Sequence, residues 1–76
     1  MDLNAFCAKL DEALDVPPGT VRPDQALDQL EGWDSVAVLA FIAMADTEYG
    51  VSVPAKDIPE CRTINDLANL ILRQKA

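Results

Sequence analysis

The sequence contains no histidine. That removes the commonest general base near neutral pH and the commonest metal ligand. Only two cysteines are present, and two thiols without histidine do not complete the usual structural zinc set. No metal site is expected. The start, Met1-Asp2-Leu3-Asn4, lacks the basic stretch and apolar run of a secretory leader. Cys7 and Cys61 are therefore expected to be reduced residues of the core or its edge rather than a bridge. Positive charge is scarce as well. Six Lys+Arg against thirteen Asp+Glu give a net charge of −7, which argues against a nucleic-acid partner. Long apolar runs are missing too. The longest uncharged stretch, Ser35 to Ala45, is eleven residues, too short to span a bilayer. These absences point to an acidic, cytoplasmic chain with no membrane span.

With 76 residues, the expectation is a single domain over 1–76 that acts as a monomer. A chain of this size buries only about 60% of the surface its unfolded form exposes. Little room is left for an enclosed active site beside the scaffold that would hold it.

What is there reads as helix. Leu3, Phe6, Cys7, Leu10 and Leu14 form one apolar stripe of 3.6-residue period. Asp2 is placed to cap its start, and Pro17-Pro18-Gly19 to stop it. From Val16 to Asp34 the pattern weakens, although Leu27 and Leu30 are spaced to dip into the core from a short helical turn. A connection this long usually marks a functional or well-pinned loop. Ser35 to Tyr49 is the strongest helical segment, with Asp34 or Ser35 as cap and Gly50 as the C-terminal stop. Val38, Phe41, Ile42, Ala45 and Tyr49 are predicted to face the core. The opposite side carries Val36, Ala37, Ala40, Ala43 and Met44, with acids returning only at Asp46 and Glu48. A helix apolar nearly all round is either deeply buried or has a docking face, and this chain is too short to cover all of it.

After Gly50, Val51 to Val53 reads as extended. Pro54 opens a short helical turn that Pro59 is expected to end. Thr63-Ile64-Asn65-Asp66 resembles a capping box with Asp in place of Glu. Ile64, Leu67, Ala68 and Ile71 make the last stripe, and Arg73 and Lys75 suit the negative end of that helix. The predicted fold is all-α, a bundle of three main helices plus one short one. Charge is uneven: residues 1–34 hold eight acids and two bases, whereas 51–76 hold three acids and four bases. A solvated acidic face explains this, as does a partner with a basic patch near the Asp34 corner.

Ser35 is the one residue whose setting suggests chemistry. It stands where a long loop enters a helix, after Trp33-Asp34. Three readings are open: a helix cap, a hydrolytic nucleophile, or a serine that another enzyme modifies. The second fails for want of a base, with no histidine and no nearby lysine. A phosphate ester at that position would meet the positive end of the helix dipole and free N–H groups.

The run Gly32-Trp33-Asp34-Ser35-Val36, the apolar helix to Glu48-Tyr49-Gly50-Val51, then Val53-Pro54 and Thr63-Ile64-Asn65-Asp66-Leu67, resembles the acyl carrier proteins from about Leu3 to Ile71. The resemblance implies that Ser35 carries 4′-phosphopantetheine, transferred from coenzyme A by a phosphopantetheinyl transferase. It also implies that the chain is not an enzyme but holds acyl groups as thioesters for others to act upon. Asp34 matches the family's aspartate before the serine. Trp33 either packs the loop onto the bundle or lies in the docking surface. The implied partners beyond the transferase are an acyl-loading ligase or acyltransferase, and a ketosynthase or other acyl-processing enzyme, in fatty-acid, polyketide or specialised metabolism.

The second helix departs from the family pattern. Fatty-acid carriers place acids along its outer face, where this sequence reads Ala37 and Ala40, with Ala43 and Met44 beyond. A dedicated carrier docked by apolar contact is expected, through Trp33, Asp34, Val36, Ala37, Ala40, Met44 and Asp46. Val38, Phe41, Ala45, Val53, Ile58, Cys61, Leu67 and Ile71 would line an acyl site between the helices, or be plain core, and Phe41 is bulky for such a lining. Alternatives are an aminoacyl or peptidyl carrier and an unmodified helical adaptor. Against the first, Trp33-Asp34-Ser35 lacks the glycine-rich core motif usual in such modules.

Overall fold

Asp2 accepts the Asn4 N–H at 3.1 Å and so opens the first helix of the computed structural model, which describes residues 2–30 and 32–75. The order is α1 (Leu3–Leu14), a 3₁₀ turn (Leu27–Gln29), α2 (Ser35–Tyr49), a short 3₁₀ helix (Ala55–Glu60) and α3 (Ile64–Lys75). Among the described residues there are helices and no strands beyond one isolated bridge, Ala26 to Thr63. The predicted bundle is the observed one.

α1 ends before the proline pair. Asp15 takes the left-handed conformation (φ 57°), which short polar side chains tolerate. Its N–H then reaches Glu12 O at 3.1 Å and the Val16 N–H reaches Asp11 O at 3.0 Å, a Schellman closure that satisfies the last carbonyls. α2 begins and ends where the sequence places it. Asp34 caps it by accepting the Ala37 N–H at 2.9 Å, and Gly50 (φ 67°) leaves it in the left-handed region. The capping box of α3 forms as read: Thr63 N–H donates to Asp66 Oδ2 at 3.1 Å, and Asp66 N–H to Thr63 Oγ1 at 3.3 Å.

Pro59 does not end the short helix but lies inside it. The reason is local: Cys61 N–H donates to Ile58 O at 2.9 Å, which places Pro59 at the second position of the closing turn. That position favours a proline and needs no N–H.

The long connection is pinned at both ends. Asp11, buried at 3% exposure, accepts Gly19 N–H at 2.9 Å and Val21 N–H at 2.8 Å. Further on, Leu27 N–H donates to Arg62 O (2.8 Å), Ile64 N–H to Gln25 O (3.1 Å) and Asn65 N–H to Pro23 O (3.0 Å). Backbone groups that a loop would otherwise leave to water are thus paired with the start of α3.

One core unites all elements, and α1 is the common neighbour of α2 and α3. Phe6, Leu10, Phe41, Ile64, Leu67, Leu70 and Ile71 are its largest wholly buried side chains. Phe6 meets Phe41 edge to face, with ring centroids 6.2 Å apart and planes at 84°. At the surface Lys9 pairs with Glu48 at 3.3 Å and lies 5.4 Å from the Tyr49 ring centroid, joining α1 to the end of α2.

Candidate functional site

The candidate site is the corner where the long loop becomes α2. Leu30 is buried and anchors the loop; Trp33 N–H returns to Leu30 O at 3.2 Å, with Gly32 at φ 84° supplying the tight reversal. Trp33 packs against the core half-buried, so it supports the loop from beneath. Asp34 follows, extended (φ −132°), and its carboxylate is turned onto the Ala37 N–H. Ser35 is the first residue of α2 and is exposed.

Capping by Asp34 leaves the Ser35 and Val36 N–H groups without an acceptor among the described residues. They stand at the positive end of the α2 dipole, where an oxyanion is favoured. An exposed hydroxyl beside such donors fits a phosphodiester. The other serine, Ser52, is also exposed but lies in irregular chain between buried Val51 and Val53, away from any helix start.

The face of α2 is where the structure departs from the sequence reading. Ala37 and Met44, expected in the outer surface, are buried at 5% and 7% exposure. The cause is α1, which covers the flank of α2 that carries Ala37, Phe41 and Met44. Ala40 is half-buried and Asp46 exposed. The exposed apolar ridge is instead Val36 (71%), Leu39 (65%) and Ala43. Leu39 had no predicted role, although the i, i+3, i+7 spacing of Val36, Leu39 and Ala43 puts all three on one face.

The residues considered for an acyl lining are core. Phe41, Ala45, Val53, Ile58, Leu67 and Ile71 are buried in one cluster, while Val38 and Cys61 pack against it half-buried. Both cysteines are free. Burial, reinforced by Asp11, pushes the Cys7 thiol above its usual value; burial, reinforced by Asp66, does the same for Cys61, with Arg73 opposing. Asp66 moves the other way, because the N–H groups of Arg62 and Thr63 hold its carboxylate ionised. No described group of histidine, cysteine or acidic side chains could hold a metal ion.

The family model described as the phosphopantetheine attachment site matches residues 4–71. The chain is also similar to the acyl carrier proteins of Tropheryma whipplei strains Twist and TW08/27. Each is 31% identical over 62 residues, covering 80% of this chain and 74% of the relative. The chain belongs to the acyl carrier family.

It is accordingly a non-catalytic carrier that holds acyl groups as thioesters on covalently attached 4′-phosphopantetheine, a group derived from coenzyme A. As an acyl carrier it works with other enzymes, the transferase that supplies the arm among them. The residues at the corner fit that group: an exposed hydroxyl that can be esterified, and two N–H groups that have no acceptor among the described residues. None of the described helices is long and apolar enough to cross a membrane.

Proposed function

We propose that Ser35 is the serine that bears the arm. The supporting observation is its place: the exposed first residue of α2, directly after the capping Asp34. Ser35 supplies only the hydroxyl, since the neighbouring Asp34 carboxylate is turned onto the Ala37 N–H; base and metal belong to the transferase. Asp34 holds the first turn of α2 and, remaining exposed, presents a carboxylate to a basic group of that enzyme.

The carrier serves a dedicated set of enzymes in the cytoplasm: a loading ligase or acyltransferase, and a ketosynthase or another acyl-processing enzyme. Docking is by apolar contact over Val36, Leu39 and Ala43, flanked by Ala40 and Asp46. Support comes from two large apolar side chains held in water on the helix that starts at Ser35, a cost that a contact surface explains. The 1–76 segment acts as one carrier domain.

Intact mass is the test. Expression with a broad-specificity phosphopantetheinyl transferase should add one arm to the wild type and to Ser52→Ala, and none to Ser35→Ala. An arm on Ser35→Ala, or none on the wild type with several transferases, refutes the assignment.

A further inference from the structure

We infer that this carrier keeps its acyl group outside the bundle, so that its cargo is a short acyl unit, and that Phe41 is the residue that closes the interior; this rests on Ser35 bearing the arm. The acyl group sits at the far end of the arm, and to enter the bundle near its anchor the arm must fold back along the side of α2 that carries Ser35, Val38 and Ile42, the last two half-buried. A tail entering past them meets Phe41, which has no exposed surface.

The setting of Phe41 decides the matter. An aliphatic side chain there would make room by changing rotamer. The Phe41 ring is held in place: it meets Phe6 edge to face, and Phe6 is itself wholly buried with the Tyr49 ring centroid 6.3 Å from its own. The same core holds Ile58, Leu67 and Ile71, at 4%, 0% and 0% exposure. Forcing methylenes into an interior at this density displaces side chains from their wells.

The grooves that open on the described surface leave the interior closed. One of about 700 Å³ runs outside α3 past Cys61, Arg62 and Leu72, one of about 460 Å³ follows the seam of α1 and α2 past Lys9 and Ala40, and one of about 320 Å³ opens beside the corner itself, past Leu14, Asp34, Val36 and Ala37. None of the three is lined by Phe41. A tail left outside, even along an open groove, keeps much of its surface in water, a penalty that grows with its length. A few carbons tolerate this; a long alkyl chain does not.

The test loads the full chain with acetyl-, hexanoyl- or decanoyl-phosphopantetheine from the matching coenzyme A thioesters. Peptide mapping first locates the arm. Methyl spectra of Ile58, Leu67 and Ile71 and the thermal midpoint are then compared. In the wild type, both readouts should be the same for all three loads. In Phe41→Ala, or in Phe41→Leu should the alanine variant not fold, decanoyl but not acetyl should shift the Ile58 methyls and raise the midpoint. Methyl shifts and a midpoint that climb with chain length in the wild type would overturn the inference while leaving Ser35 in place. Folded variants as insensitive as the wild type would overturn the role of Phe41. An arm mapped away from Ser35 would overturn the underlying assignment instead.

Discussion

The carboxylate of Asp11, in the last turn of α1, holds the backbone of the long loop by accepting the N–H of Val21 at 2.8 Å and that of Gly19 at 2.9 Å. One acidic side chain in the core-facing stripe of a helix thereby does for the loop what a strand partner does in a sheet. Its worth is measurable. Asp11→Ala leaves two donors unpaired in or near the core and should cost about 1–3 kcal/mol. Urea unfolding checks the loss, and amide exchange at Gly19 and Val21 should accelerate more than at Leu67.

The two faces of α2 should answer differently to charge. Leu39→Glu lies in water and should change stability by no more than about 0.5 kcal/mol, while weakening capture by a cognate loading enzyme. Ala37→Asp and Met44→Glu bury an unpaired carboxylate against α1 and should cost about 3 kcal/mol or more. Thermal melts of the three variants, paired with a binding titration for Leu39→Glu, separate the surfaces. Stable Ala37→Asp would show that α1 does not cover this flank.

Acid should loosen the start of α3. The Asp66 carboxyl is held below its ordinary 3.8 by the Arg62 and Thr63 N–H groups. Its folded value is therefore lower than its unfolded one. The stabilisation is complete above the ordinary value and is lost as pH falls through the depressed one. Carbon-detected titration of Asp66 should give a midpoint under 3.8, and Asp66→Asn should flatten that part of the stability profile. A midpoint at or above the ordinary value would contradict the capping geometry.

Both thiols should be sluggish at neutral pH. Burial raises Cys7 and Cys61 above the ordinary 9.0, so the reactive thiolate is scarcer than in a free cysteine until the pH passes that value. Cys61 is only half-buried whereas Cys7 is 6% exposed. Iodoacetamide should therefore mark Cys61 first, and Cys7 only with global unfolding, as followed by peptide mass. Equal rates at the two would place Cys7 at the surface.

Leu10 and Ile71 have no exposed surface. Leu10→Ala or Ile71→Ala should each cost about 2–5 kcal/mol, a large share of the stability of so small a domain. Equilibrium denaturation is the check.

The sequence speaks most clearly where chain chemistry is local. Asp34, Gly50 and the Thr63–Asp66 pair mark helix ends by residue type, and α2 and α3 start where those residues put them. The rotation of α2 about its own axis was not legible. Its residues are apolar on nearly every side, so no polar stripe marks the wet face, and only the position of α1 decides that Met44 is inside and Leu39 outside. Asp11 was hidden for the opposite reason. An acid beside Leu10 reads as solvated until the partners it meets eight and ten residues further on are known. Ser35 was legible because helix start, capping acid and hydroxyl are neighbours in the chain.

The pairing of residues 23–27 with 62–65, through Leu27 to Arg62 and Ile64 to Gln25, also sets an order of assembly. These bonds enclose the whole of α2 and the short helix, so the chain must close a large loop before any of them forms. Helices alone could nucleate locally and fast, whereas this seam adds contacts of high sequence separation, which slow folding. The segment that delivers Ser35 to the surface is therefore expected to be fastened late in folding, by a strip of chain from the far end of the sequence. When the seam opens, the polypeptide leading into α2 is released while α1 keeps its own capped ends.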